Sequence, residues 1–269
     1  MSSCTEAETD VDSLVAIGGK KYGGEFKFMS SEKINSLVPT SSSDHYSSRI
    51  VSQLFEPLLR LDPVTMMVTP ALAESFTVSD DAMVYTFKIR KGVFFHTDDC
   101  FGGDAHEVNA HDAKFALDMA CSGLDINHVN YLLVNRIKGA QEFNKATEKS
   151  FDAKGVSGIK VLDDNTLQVN LSSPFSGFEN LMTHASLGVF PKEAYDKYGK
   201  DLFKHPVGSG PFALESMTDE KIVLKRNNNY WRKDEFGNQL PFMSKVIMTY
   251  TKDKRSELLA FRESLIDLL

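Results

Sequence analysis

The sequence lacks the features that mark a membrane, nucleic-acid or disulfide-built protein. No stretch of about 18 consecutive apolar residues occurs, so no segment is long and apolar enough for a membrane-spanning helix. Positive charge is in deficit, with 30 Lys and Arg against 37 Asp and Glu, a net charge of −7. A general nucleic-acid binder needs a basic face to meet phosphates, so that class is not expected. Cysteine occurs three times in 269 residues, too sparsely for a disulfide scaffold. Tryptophan occurs once. Also missing are a Walker loop, a dinucleotide fingerprint, an HExxH pair and a nucleophile elbow; Gly208-Ser209-Gly210 lacks the context of the last. No catalytic residue, metal or cofactor is expected.

What is present reads as a folded α/β chain. The apolar fraction of 42% and the charged fraction of 25% are those of a globular protein. Residues 1–21 are polar and read as a tether. Phe26 and Phe28 share one face of a strand over Glu25–Met29. Ile50, Val51, Leu54, Phe55 and Leu58 form a helical stripe broken near Pro57. Tyr85, Phe87 and Ile89 alternate with polar residues, the pattern of a half-buried strand that turns at Lys91-Gly92. Asn109 and Asp112 are placed as an N-cap and a first-turn acid for a helix whose buried face is Phe115, Ala116, Met119 and Ala120. A second helix is expected over Asn135–Thr147. Hairpins are expected around Asp163-Asp164-Asn165 and around Thr218–Glu220. A strand through Val246, Met248 and Tyr250 then leads to a helix, Lys252–Arg262, with Leu258, Leu259 and Phe261 as its apolar residues.

Two features invite other chemistry. Cys100 and Cys121 make an even pair that an oxidising compartment would bridge. His96, Asp98, Asp99, His106, His111 and Asp112 are dense in ligand-type side chains, the basis of an alternative reading as a metal-dependent hydrolase. They have no metalloprotease spacing, and Asp112 already has a capping role, so no metal site is expected there. Cys4 follows two serines and precedes an acidic, polar stretch. It reads either as the lipid-bearing cysteine of a mature lipoprotein or as an ordinary cysteine in a polar tail.

An ordered series of motifs carries the strongest signal. LFEPLL (Leu54–Leu59) is followed by PALAESF (Pro70–Phe76), YTFKIRKGVFFH (Tyr85–His96), the helix start at Asn109–Leu117, VGSGPF (Val207–Phe212) and RNNNYW (Arg226–Trp231). Together they resemble the extracellular solute-binding proteins of ABC transporters, specifically the oligopeptide- and dipeptide-binding family 5 (cluster C). The hairpin departs from the family's pattern, with Thr97 in place of Asp and the following glycine missing. The resemblance implies an α/β, periplasmic-binding-protein type II-like clamshell, here mostly lobe one with its extra β-rich subdomain. It implies lobe one from 22–52 and 190–245, the β-rich subdomain from 53–189 and the start of lobe two in 246–269, the chain being an N-terminal portion.

The function implied is capture of short peptides or another small solute and delivery to ABC permease subunits, in the periplasm or cell envelope, with membrane association through a lipid on Cys4. A peptide-sensing receptor of the same fold, without transport, is the alternative of the same class. By position in the family plan, Lys33, Ile34, Asn35, Ser36 and Leu37 form the loop that meets the ligand backbone. Tyr131 stands where some members place an aromatic against the ligand, with simple packing as its other reading. Ser209 and Gly210 lie in a turn expected to face the ligand, although backbone demands alone explain the glycines.

Overall fold

The computed structural model describes residues 14–34, 36–151 and 154–269. Strand β1 (Glu25–Ser30) precedes helix α1 (His45–Leu54), and the short strands β2 (Leu59–Leu61) and β3 (Val68–Pro70) lead to β4 (Ala73–Val78) and β5 (Val84–Ile89). Helices α2 (Ala110–Cys121) and α3 (Ala140–Ala146) follow, then β6 (Ile159–Asp163), β7 (Thr166–Asn170), α4 (Phe178–Leu181) and α5 (Lys192–Tyr198). The chain ends with β8 (Phe212–Met217), β9 (Lys221–Arg226), β10 (Lys245–Tyr250) and α6 (Lys254–Arg262). It parts into two compact units, one from Met1–Glu32 with Leu214–Leu269, the other Lys33–Ala213.

The smaller unit is built on a four-stranded sheet of order β1-β10-β9-β8. β1 runs parallel to β10, pairing Phe26 with Val246 and Phe28 with Met248. Parallel neighbours need a long crossover, and here the whole of Lys33–Ala213 lies between them in sequence. Asp267 accepts the Lys27 N–H at 2.7 Å and returns its own N–H to the Lys27 carbonyl at 2.7 Å. The segment 246–269, expected to open a second lobe, therefore supplies a central strand and a clasp to the same sheet as β1. Residues 14–21 of the expected tether also have defined structure, and residues 1–13 lie outside the described residues. From Leu14 the chain is ordered, because Asn238 grips Ile17 through both its carbonyl and amide, each at 2.9 Å, and the Tyr22 hydroxyl donates to the Gln239 carbonyl. In α6 the buried residues are Glu257 and Ala260, while the apolar Leu258, Leu259 and Phe261 are exposed.

The larger unit centres on an antiparallel sheet of order β4-β5-β7-β6. The inward side chains are Tyr85, Phe87 and Ile89 from β5 and Leu167 and Val169 from β7, as the alternation predicts. Asn109 and Asp112 close α2 with a reciprocal capping box. At the other end Asn127 Nδ2 donates to the carbonyls of Met119, Ala120 and Ser122 at 2.8–3.0 Å, satisfying the last turn. Its Oδ1 accepts the Val129 N–H. Phe115, projecting from α2, meets the rings of Phe151, Phe190 and Tyr195.

Two expectations change here. The helix expected over Asn135–Thr147 begins only at Ala140, because Gly139 adopts φ 77° and Ile137 is engaged in a bridge with Leu171. The boundaries expected at 52/53 and 189/190 lie instead at 32/33 and 213/214. Backbone bonds explain this: His128 N–H to the Thr40 carbonyl and His96 N–H to the Gly208 carbonyl tie the flanking segments to the β-rich one.

Replacing the buried Asn127 tests how α2 is finished. Asn127→Ala removes the donor to the Ala120 and Ser122 carbonyls, while the Met119 carbonyl keeps the Ser122 N–H and Oγ; Asn127→Asp keeps the shape but loses the donor. Each is expected to cost about 2–3 kcal/mol in chemical denaturation; a loss within about 0.5 kcal/mol for Asn127→Asp would show that the amide is not the cap.

Candidate functional site

Three of the motifs, LFEPLL, the end of YTFKIRKGVFFH and VGSGPF, meet at the C-terminal end of α1. After Leu54 the chain leaves the helix, Phe55 being extended ahead of Glu56 and Pro57. Against this end lies the segment 207–211. Gly210 N–H donates to the Leu54 carbonyl at 3.0 Å. A Cβ on Gly208 would overlap the Leu54 carbonyl oxygen and lie 2.8 Å from the Phe55 ring, and one on Gly210 would lie 2.5 Å from the Gln53 carbonyl oxygen. Close approach, not unusual backbone angles, is why both positions are glycine.

The same segment gathers polar groups away from solvent. Ser209 Oγ donates to Glu56 Oε2 at 3.3 Å, both residues being buried. His96 N–H donates to the Gly208 carbonyl at 2.7 Å, and its Nε2 lies 3.0 Å from the Gly210 carbonyl oxygen. A carbonyl only accepts, so Nε2 carries the proton. Glu56 was not foreseen as part of this arrangement; its only sequence signal is its place before Pro57 in LFEPLL.

The expected ligand residues separate by exposure. Ser209 is 1% exposed and Gly210 is buried, and both serve internal bonds. Ile34 and Leu37 are also buried and anchor their loop, with the Leu37 N–H donating to the Phe203 carbonyl. Lys33 is exposed, and Ser36 is half-buried with its Oγ accepting the Val38 N–H. Asn35 and Cys4 lie outside the described residues. Tyr131 is 58% exposed on the turn Asn130–Leu132, so it does not pack into the core. The segment before it is tied to the 39–42 turn by His128 N–H to the Thr40 carbonyl and Ser41 Oγ to the Ile126 carbonyl.

The His- and Asp-rich segment divides into separate duties. Asp98 accepts the Cys100 N–H at 2.8 Å and the Tyr198 hydroxyl at 2.6 Å. Burial opposes its charge, but these bonds hold its carboxyl below the usual range. Cys100 and Cys121 are both free thiols, not the expected bridge. Cys121 is fully buried on α2, whereas Cys100 sits on the separate turn Asp99–Phe101. Burial, then Asp98, pushes the Cys100 thiol up to about 12, and burial raises Cys121 as well. His111 reaches the exposed Asp164 at 3.6 Å. His106 Nε2 lies 3.6 Å from Asp112 Oδ2, and burial, opposed by the cap N–H and joined by the Glu193 charge, pushes Asp112 up to about 6.

Comparison with known proteins follows this geometry. The family model for bacterial extracellular solute-binding proteins, family 5 (middle region), matches residues 67–269. The chain is 29% identical over 233 residues to a glutathione-binding protein, GsiB, of Escherichia coli O157:H7, covering 86% of this chain and 37% of that protein. It thus spans well under half the length of that relative. A periplasmic oligopeptide-binding protein of Borrelia burgdorferi, OppAIV, superposes with a TM-score of 0.77 at 26% identity, over 91% of this chain and 46% of that one. The substrate-binding domain of an oligopeptide ABC transporter from Bacillus anthracis gives 0.75 at 26%, over 90% and 44%.

Two results are expected from these contacts. Gly208→Ala is expected to cost about 3 kcal/mol in thermal or chemical denaturation through steric overlap. Gly103→Ala, whose Cβ meets open space at φ 91°, is expected to cost only about 1 kcal/mol of backbone strain. Equal losses would contradict the close-approach account. Intact masses taken with and without reductant are expected to coincide, and both thiols to resist alkylation at neutral pH until the protein unfolds; a mass change on reduction localised to Cys100 and Cys121 would contradict the free-thiol assignment.

Proposed function

The chain belongs to the bacterial extracellular solute-binding proteins, family 5, with the α/β fold of type II periplasmic binding proteins, and on that premise we propose that it captures short peptides for an ABC importer. The observation that carries this reading is the family match over 67–269 together with the fold shared with oligopeptide-binding proteins. The glutathione-binding relative fits the same class, glutathione being a small tripeptide. The protein acts outside the cytoplasm, passes its solute to permease subunits, and uses the lipid reading of Cys4 as its attachment to the membrane. It binds and does not transform its ligand, in keeping with relatives that are binding proteins.

Peptide capture needs backbone recognition more than side-chain reading, because strand-like hydrogen bonds accept many sequences. Among the expected contacts, Lys33, Ser36 and Tyr131 have accessible side chains. Lys33 offers a cation to a peptide carboxylate, and Tyr131 offers a broad apolar face with a hydroxyl at its rim. Ile34, next to Lys33, and Leu37 are buried and anchor their parts of this segment.

Native mass spectrometry of the full gene product, purified gently from the cell envelope, is expected to show retained short peptides that an excess of defined tri- to pentapeptides displaces. Lys33→Ala and Tyr131→Ala are expected to weaken peptide binding about tenfold each, near 1.4 kcal/mol, with stability changed by less than about 0.5 kcal/mol. Retention of a non-peptide solute alone, with no calorimetric response to peptides, would overturn the assignment.

A further inference from the structure

The larger unit also contains a group of side chains that the solute-binding reading does not use. His106, Asp112 and Glu193 each offer one ligand-type atom, and these atoms all lie within 4.8 Å of one another. Three different pieces of chain supply them. His106 follows a short antiparallel contact in which its carbonyl accepts the Phe95 N–H. Asp112 is in the first turn of α2, and Glu193 is in the first turn of α5. We propose that this cluster is a site for a divalent transition-metal ion of the Zn2+ type, pinning α5 and the 104–107 segment to the start of α2.

The geometry is close to what such an ion needs. With ligand bonds of about 2.1 Å, neighbouring ligand atoms in a tetrahedral shell stand about 3.4 Å apart. His106 Nε2 and Asp112 Oδ2 are already 3.6 Å apart, too far for a hydrogen bond and near the edge of a coordination tetrahedron. Glu193 is exposed and flexible enough to close the remaining gap. One imidazole and two carboxylates give the mixed nitrogen and oxygen set that suits Zn2+, with the fourth position left for water.

A second observation points to a ligand. His106 Nε2 is shut off from solvent and makes no hydrogen bond among the described residues. A buried polar atom left in that state costs about 1–3 kcal/mol, and a metal bond uses its lone pair. The ring is fixed for this purpose. It stacks on Phe101 with centroids 4.6 Å apart and planes 14° apart, with Phe95 against it at 5.8 Å. Asp112 is fixed as well, since its Oδ2 accepts the Asn109 N–H at 2.9 Å in the capping box. Two of the three ligands are therefore held in place by bonds that a metal would not disturb. Sequence spacing hid the site because Glu193 lies far along the chain from the other two.

The competing occupant is a proton shared between His106 and Asp112, and the experiment separates the two. Metal-free protein is titrated with Zn2+ by calorimetry and with Co2+ by visible absorption, and its melting temperature is followed in both. One equivalent is expected to bind with micromolar or better affinity, to raise the melting temperature, and to give Co2+ ligand-field bands. Glu193→Ala, at an exposed position, is expected to fold normally and to weaken binding tenfold or more. His106→Gln is expected to abolish the Co2+ spectrum, whereas His111→Gln, which alters a neighbouring histidine outside the cluster, leaves it intact. No metal response in the unaltered protein, or equal responses in the Glu193 and His106 variants, would overturn the proposal and leave a proton-linked pair.

Discussion

At the C-terminal end of α1 the Leu54 carbonyl accepts the Gly210 N–H at 3.0 Å, and two glycines let a distant piece of chain come that close. Much of the larger unit depends on this approach. It aligns Ser209 with Glu56 and brings the Gly208 and Gly210 carbonyls to the backbone and ring of His96. The residue beyond Glu56 in LFEPLL is proline, which ends the helix and frees the carbonyls that the incoming segment flanks. Motifs separated by more than half the chain are thus parts of one contact. A side chain larger than hydrogen at 208 would push the segment away and unpair buried polar groups on both sides.

That arrangement also bears on function. The residues most visible as motifs are buried and hold the scaffold together. Of the residues expected to meet a solute, Lys33, Ser36 and Tyr131 are accessible among the described residues, and they belong to loops with little motif character. Loops carry ligand contacts because their backbone is accessible, and a rigid scaffold beneath them limits the entropy lost on binding. Family membership therefore follows from the scaffold, while the solute contacts proposed above lie on loop residues. The same scaffold accommodates proteins named for glutathione and for oligopeptides.

Strands and caps were the most legible parts of the fold. Tyr85, Phe87 and Ile89 are buried as their alternation predicts, because period-two patterning maps directly onto the two faces of a sheet. Asn109 and Asp112 form the expected capping box, since that device involves residues only three positions apart. Features that depend on distant partners were not legible in this way. The expected helix start at Asn135 gave way to Gly139 in a left-handed conformation and to a bridge from Ile137. Residues from Leu14, polar enough to read as a tether, are held by Asn238. The site shows the same division: Ser209 and Gly210 were found as a motif, but their burial against Glu56 was not visible.

By itself, the amino-acid sequence determined the family, the alternating strands, the helix caps and the glycines at 208 and 210, because each is written in local pattern or in a motif read in order. Only the tertiary structure decided which residues are neighbours. It joined β1 to β10, moved the unit boundaries to 32/33 and 213/214, left Cys100 and Cys121 apart as free thiols, and set Glu193 beside His106 and Asp112. The reason is physical: a hydrogen bond or a ligand set forms between groups brought together by packing, and packing is settled by the whole core at once and not by spacing along the chain.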